Sequence, residues 1–256
     1  HGSQALPQVW IAVALVSVAV VSFYNRYASS MGLLHLYRVC AAISAVVLAV
    51  LLGVNALDVP GSAFALYVWK DVYIVILIEL FWSYANTAFA LGTARWIYGL
   101  FCMMGSFGGM AGNLGVGKLA AVVGTTHSLW LVLPLLAVTV ALAWGMGRWF
   151  GDTRRNAAPS DLSAGFRVLL GSRYLMWMLA LIAVVQVVIT LVDFQFNSVL
   201  EESFPNTDER TAVIGQVYAD IDVGSLTLQL LAGVIIGLMG VARVLILIPL
   251  VVCVAV

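Results

Sequence analysis

The fold is decided by residues 67–117, which read Y-V-W-K-D-V-Y-I-V-I-L-I-E-L-F-W-S-Y-A-N-T-A-F-A-L-G-T-A-R-W-I-Y-G-L-F-C-M-M-G-S-F-G-G-M-A-G-N-L-G-V-G. Most of this stretch is as apolar as a membrane span, yet Lys70, Asp71 and Glu79 lie in its first half. Glycines recur through the second half, at Gly105, Gly108, Gly109, Gly112, Gly115 and Gly117. Ionisable side chains at membrane depth usually face a cavity or a partner, and glycines let neighbouring helices approach closely. The stretch therefore predicts a polar path inside a tightly packed helical bundle.

The composition places the chain among polytopic membrane proteins. Its residues are 63% hydrophobic and 9% charged, whereas a soluble domain carries roughly 25% charged residues. The 12 basic and 12 acidic residues balance, which argues against a nucleic-acid binder because such a protein shows a basic stripe. The cysteines, Cys40, Cys102 and Cys253, have no metal-type spacing. We therefore expect an all-α membrane protein without a metal site or a cofactor.

Hydropathy predicts about eight membrane spans of about 20 residues each. They cover residues 8–27, 35–57, 65–91, 94–123, 128–149, 174–200, 209–240 and 241–256. Every second loop between them is basic, and basic loops mark the cytoplasmic side. The first span therefore begins outside, and the long polar stretch 151–173 is a cytoplasmic linker. Its 161–172 part has the pattern of a short amphipathic helix on the membrane surface.

This arrangement predicts a helical bundle like that of the major facilitators, which have two six-helix halves joined by a long cytoplasmic loop. We divide the chain into an N-terminal transmembrane half at 4–150, the linker at 151–173 and the start of the second half at 174–256. Five predicted spans precede the linker and three follow it. The chain is thus expected to be an internal portion of a twelve-helix carrier that lacks the first helix and about three at the end. A complete eight-helix protein is the alternative.

The third predicted span carries the first group of candidate site residues. Glu79, Ser83 and Asn86 fall at positions i, i+4 and i+7, which is one face of a helix. Lys70 and Asp71 lie about two turns deep from its outer end. We predict a face that couples substrate or protons. The alternative is a structural hydrogen-bonded pair, with the Lys70 ammonium reaching outward to the interface.

The sixth and seventh predicted spans carry the second group. A polar stripe on the sixth consists of Gln186, Thr190, Asp193 and Asn197. The seventh places Gln216, Asp220, Gly224 and Thr227 on one face, and Asp222, Ser225 and Gln229 on another. Glu79, Asp193 and Asp220 therefore come from both halves of the chain, which matches sites formed between two repeats near the midplane of the membrane.

The glycine spacings Gly105/Gly109 and Gly108/Gly112 follow the G-x-x-x-G pattern, which favours close helix packing. The sequence predicts no catalytic residues. An intramembrane hydrolase is a rival class, but His35 and His127 fall at opposite ends in the predicted topology and Ser106 lacks a plausible base within hydrogen-bond reach. A membrane sensor or anchor for a soluble domain after residue 256 is a third class, but it would not need charges at mid-membrane.

The motifs resemble those of the ATP/ADP translocase, or nucleotide transporter, family. The resemblance lies in L-F-W-S-Y-A-N at 80–86, A-R-W-I-Y-G-L-F at 94–101 and M-G-S-F-G-G-M-A-G at 104–112. L-G-S-R-Y-L at 170–175 and V-D-F-Q-F at 192–196 are similar to the beginning of the family's second half.

The resemblance implies a fold like the major facilitators and exchange of ATP for ADP by alternating access. Lys70 and Arg95 are then the candidate ligands for phosphate groups. The implied partners are a nucleotide or other small anionic solute and the lipid bilayer, which we expect to be the bacterial inner membrane. The alternatives are a major-facilitator-type carrier of another solute, with protons coupled through Glu79 or Asp193, and a non-transporting module fused to a soluble regulatory domain.

Overall fold

The computed structural model describes residues 6–28, 31–152 and 162–240, together with Arg243 and Leu247. Nearly all of these residues are helical. The helices are α1 (Leu6–Ala28), α2 (Leu33–Ala56), α3 (Ser62–Ala88), α4 (Leu91–Val123), α5 (Thr125–Ser128), α6 (Val132–Phe150), α7 (Leu162–Gly171), α8 (Arg173–Ser203) and α9 (Thr207–Met239). A 3-10 turn at Leu129–Leu131 joins α5 to α6.

The long helices coincide with the first seven predicted spans, and α7 lies where the amphipathic pattern predicts a short helix. The eighth predicted span, 241–256, falls outside the described residues except for Arg243 and Leu247. By length and apolar composition, three described segments are suited to crossing a membrane: Leu33–Ala56, Thr125–Phe150 and Arg173–Ser203. The described chain is thus that of a helical membrane protein, while the count of eight spans and the division into two halves stay predictions.

The described residues form two compact units. The first consists of His1–Ala90 and Thr126–Asn206, and the second of Leu91–Thr125 and Thr207–Val256. In the first, α2 packs against α3 and α6, and α1 packs against α3. In the second, α4 packs against α9.

The core of the first unit is organised by one face of α3. Its buried residues recur every four positions, at Val68, Val72, Ile76, Leu80 and Tyr84. This spacing places them along one side of the helix. They meet Val9 of α1 and Leu33, Leu34 and Leu36 of α2. The long apolar helix α8 lies mostly exposed on this unit, as suits a surface that contacts lipid.

In the second unit, only some of the glycines lie where the two helices contact each other. A Cβ added at Gly117 would lie 3.3 Å from the Ala212 carbonyl oxygen, and one added at Gly215 would lie 2.5 Å from the Asn113 carbonyl oxygen. Gly215 therefore needs glycine because the two backbones approach directly, whereas a Cβ at Gly117 would require the Ala212 backbone to shift slightly. Gly105, Gly108 and Gly112, by contrast, face open space. The G-x-x-x-G prediction of close packing is wrong for these three glycines and correct only for Gly109.

The N-terminus of α2 is capped by a residue distant in sequence. The Asp152 carboxylate accepts hydrogen bonds from the backbone N–H groups of Leu34 and His35, each at 2.9 Å. These are two of the N–H groups that a helix start leaves without partners, and the negative charge suits the positive end of the helix dipole. Gly32 leaves the space that this carboxylate occupies. Asp152 therefore ties the chain after α6 to the start of α2.

Candidate functional site

An ion pair lies on the side of α3 away from the core. The Lys70 Nζ atom is 3.0 Å from Asp71 Oδ1, and the two side chains are 46% and 29% exposed. The same ammonium lies 4.1 Å from the centre of the Tyr67 ring. Because the buried face of α3 follows Val68 and Val72, helical geometry turns Lys70 outward. The Lys70 ammonium is thus paired with a carboxylate and an aromatic face, and its side chain remains partly exposed.

The environment of the predicted polar face of α3 changes along the helix. Glu79 is half-buried, whereas Asn86 is exposed in the last turn of the helix. Spacing places both residues on one face, but the core does not extend equally to the end of the helix. The two residues therefore do not form one enclosed site within the described part of this unit.

The polar stripe on α8 also differs from one end to the other. Gln186 is exposed, while Asp193 and Asn197 are half-buried. The Asn197 Nδ2 atom donates to the Asp193 backbone carbonyl at 2.8 Å, so this contact stays within the helix. Phe194 brings the same part of α8 to α1, where its ring centre lies 6.4 Å from that of Trp10.

The candidate residues on α9 form a pair within their own helix. The Gln216 Nε2 atom donates to Asp220 Oδ1 at 3.0 Å, and both side chains are exposed. Arg95 lies in the first turns of α4, but its side chain is outside the described part of the structure. The structure thus shows Lys70–Asp71, Asp193–Asn197 and Gln216–Asp220 as pairs within single helices. Asp193 of α8 also lies near enough to interact electrostatically with Tyr67, the residue beside Lys70.

A contact that the sequence did not single out lies between α4 and α9. The Asn113 Nδ2 atom donates to Asp222 Oδ2 at 2.9 Å. A Cβ added at Gly109 would lie 2.7 Å from the same oxygen, so the missing side chain admits the carboxylate. The sequence separates Asp222 from Asp220 by helical face, but only the packing identifies Asp222 as the acid that meets another helix.

A second polar contact lies further along the same two helices. The Gln229 Nε2 atom donates to Ser106 Oγ at 3.0 Å, while the Gln229 Oε1 atom is buried without a hydrogen-bond partner among the described residues. A buried acceptor without a donor is unusual, because most buried polar groups in proteins are paired. The α4–α9 pair therefore contains more polar atoms than its packing satisfies.

The start of α9 is fixed to the end of α4. Asp208 Oδ1 accepts hydrogen bonds from the backbone N–H and the hydroxyl of Thr125, each at 2.7 Å. These bonds favour the ionised form, so the pKa of the Asp208 carboxyl is lowered from its ordinary value. Gly124 turns the chain at this point with a φ of +87°, a left-handed conformation that suits glycine.

These features define the class of the protein. By its described residues, it is an all-helical integral membrane protein with ionisable side chains on its long helices.

The sequence model of the TLC ATP/ADP transporter family matches residues 151–256. A relative in Chlamydia muridarum, ADP,ATP carrier protein 1, is 26% identical over 175 residues. The matched part is 59% of this chain and 33% of the relative, so this chain spans only about a third of that protein. No solved structure matches the chain. The resemblance to the ATP/ADP translocase family is thereby confirmed.

Proposed function

We propose that this chain is part of a secondary transporter that exchanges ATP for ADP, or a related phosphate-bearing metabolite, by alternating access. The observation that carries the proposal is the match of residues 151–256 to the ATP/ADP transporter family. The similarity to a protein named ADP,ATP carrier protein 1 supports the same substrate class. We place the carrier in the bacterial inner membrane.

Lys70 is the group that we assign to the substrate's phosphates. Its ammonium has three donors, and in the structure it is held by Asp71 at 3.0 Å. A phosphate that approaches this ammonium replaces the Asp71 carboxylate with a more highly charged acceptor. Asp71 then serves as the ligand that neutralises Lys70 when no substrate is bound. Arg95 is the second basic residue that we assign to phosphate.

The acidic residues supply the other part of the proposed cycle. Glu79, Asp193 and Asp220 alternate between pairing with a basic group or the substrate and being protonated. Asn86, Gln186, Asn197 and Gln216 supply neutral hydrogen-bonding groups on the same three helices. The two halves of the carrier rock around a site near the midplane of the membrane, which is the general arrangement of repeat-built transporters.

The direct test is uptake of labelled ATP into vesicles that contain the full-length protein, with ADP inside or without it. Stimulation of uptake by internal ADP is the expected result. Lys70→Ala should lower uptake at subsaturating ATP by about 10- to 100-fold, because a hydrogen bond between charged groups contributes roughly 1.5–3 kcal/mol. Lys118→Ala is the matched control, since Lys118 is an exposed lysine on α4 that we assign no role. Equal losses in both variants would contradict the assignment of Lys70.

A carrier of another solute with proton coupling is the second candidate. The observation that favours it is that the candidate site residues on α3, α8 and α9 include four acids, Asp71, Glu79, Asp193 and Asp220, against one base, Lys70. An ATP molecule would favour a more positive site. If folded protein in vesicles takes up no ATP under either condition, this candidate replaces nucleotide exchange. Proton release driven by a panel of small solutes would then identify the substrate.

A further inference from the structure

One end of the α4–α9 pair is held by close packing of the two backbones. A Cβ added at Gly215 would lie 3.1 Å from the Gly117 Cα atom. About two turns beyond, Asp208 accepts two hydrogen bonds from Thr125. Backbone atoms in direct contact do not separate unless a whole helix moves. We call this region, from Gly117 and Gly215 to Thr125 and Asp208, the fixed end.

Beyond the Asn113 carbonyl oxygen, which belongs to the backbone contact with Gly215, the other end of the pair is held by side chains. Asn113 donates to Asp222 at 2.9 Å, and Gln229 donates to Ser106 at 3.0 Å. Gly109 makes the room for the Asp222 carboxylate. Such contacts break when a side chain changes its rotamer, without any change in the helices themselves. We call this region the releasable end.

The releasable end is not optimised for stability. The α4 residues beside the Asp222 carboxylate are Gly109 and Asn113, neither of which carries a charge. A carboxylate in a membrane helix is costly without a charged partner, and such residues usually serve a function. Among the described residues, Gln229 Oε1 is buried without a donor in the same region. Water that enters between the helices would hydrate both groups, which lowers the free-energy cost of opening this end.

The two helices also connect different parts of the chain. Helix α4 precedes residues 151–173 and α9 follows them. A change in the angle between α4 and α9 therefore moves a helix that precedes this segment relative to a helix that follows it. Among the described long helices, α4 and α9 are the one extensively packed pair with a helix on each side of this segment.

We propose that Gly109, Asn113 and Asp222 form a latch. The Asp222 carboxylate lies against α4 in one state of the protein and leaves it in the other, while the backbone contact of Gly117 with Gly215 acts as the pivot. The latch rests on the proposed function, because transport by alternating access needs two arrangements of the protein. Asp222 is a positioning residue in this scheme and makes no contact with substrate.

Distances between spin labels test the latch without any substrate. In the full-length protein with Cys40, Cys102 and Cys253 replaced, one pair of labels is placed at Met104 and Leu230, which are 60% and 59% exposed near the releasable end. A matched pair at Val122 and Glu209 reports on the fixed end. We expect two distances for the first pair and one distance for the second.

Gly109→Ala should favour the opened arrangement, because the new Cβ would occupy the place of the Asp222 carboxylate. The ratio of long to short distances at the releasable end should rise about fivefold or more, the lower range of conformational couplings in proteins. Gly112→Ala adds the same methyl group to the same helix where nothing lies within 4 Å. This control should leave the ratio unchanged.

If each pair of spin labels gives a single distance, and Gly109→Ala changes neither distance, the latch is overturned. Equal widening at both pairs would overturn the pivot, because the helices would then separate as a whole. The latch and the proposed function fail separately. Absence of ATP uptake with two distances present contradicts only the function, and ADP-stimulated uptake with one fixed distance contradicts only the latch.

A covalent bridge between the two helices tests whether transport requires the latch to open. Cysteines at Met104 and Leu230, joined by a reducible bifunctional thiol reagent, should arrest ATP–ADP exchange, and reduction should restore it. The same bridge between Val122 and Glu209 should leave exchange intact. Full exchange by the protein bridged at the releasable end would show that this end need not open and would overturn the latch.

Discussion

The two compact units hold their helices together by different means. In the first, α3 presents Val68, Val72 and Leu80 as a continuous apolar face against α1 and α2. In the second, α4 and α9 meet through Gly117 and Gly215 and through polar side chains. Large interlocking side chains define one arrangement, whereas small residues with a few hydrogen bonds permit more than one. The first unit is thus suited to serve as a rigid body, and the second contains the contact that is suited to change.

The difference also changes what a mutation does in each unit. Removal of atoms creates a cavity in a core of large side chains. Addition of atoms disrupts a contact made by glycines, because the facing backbone leaves no space for a side chain. Opposite types of substitution are therefore damaging in the two units: truncation of a large side chain in α3, and enlargement of a glycine in the α4–α9 pair.

The largest effect on stability is expected for Leu80→Ala. Leu80 is 1% exposed in the core of the first unit, and such a truncation costs about 2–4 kcal/mol. Thermal unfolding of the purified protein in detergent measures the loss. Ile78→Ala is the control, because Ile78 lies two residues away on the same helix and is 53% exposed. Equal losses for the two variants would show that this face of α3 is not the core.

A smaller loss is expected for Gly215→Ala, at about 1–3 kcal/mol. The added Cβ would meet the Asn113 carbonyl oxygen at 2.5 Å, and this oxygen is part of the backbone and cannot rotate away. Gly224→Ala, on the same helix, meets nothing within 4 Å and should be neutral or slightly stabilising. The same unfolding assay compares the two. Unchanged stability of Gly215→Ala would contradict the close backbone approach.

The smallest effect is expected at the fixed end of the α4–α9 pair, and it depends on pH. The pKa of Asp208 is lowered below its ordinary value of 3.8 by the hydrogen bonds from Thr125. Its contribution to stability is therefore present above that ordinary value and is lost as the pH falls through the lowered pKa of the folded state.

Asp208→Asn should accordingly reduce the fall in melting temperature between pH 6 and the acid limit of the folded protein. Glu202→Gln, which removes another exposed carboxylate, controls for the change in net charge. A melting temperature that falls equally in the wild-type protein and in Asp208→Asn would show that this hydrogen bond does not contribute.

Much of the fold follows from the sequence. Apolar length identifies α1, α2, α6 and α8, because a segment that crosses a membrane must satisfy its backbone hydrogen bonds within a helix. The buried face of α3 does not follow from the sequence, because Val72 and Ile76 are buried while the equally apolar Val75 and Ile78 are exposed. The candidate site is predictable only in part. Gln216 and Asp220 pair because they lie one helical turn apart, whereas consecutive helical residues such as Lys70 and Asp71 do not ordinarily face each other.

Contacts between distant segments are not predictable in this way. Asp152 is one acidic residue in a polar stretch, and nothing in its neighbourhood indicates that it caps α2. Asp222 and Asp220 are two residues apart in the sequence. Periodicity assigns them to different faces of α9 but does not indicate which face meets α4.

The sequence by itself determined the helical membrane class, the resemblance to the ATP/ADP translocase family and the polar pairs within single helices. Only the tertiary structure decided that α4 packs against α9, that Gly109 and Gly117 rather than Gly105 and Gly108 form that contact, and that Asp222 lies within it. The physical reason is that helical geometry fixes the angles between residues of one helix. The rotation of that helix about its own axis is set by its partner.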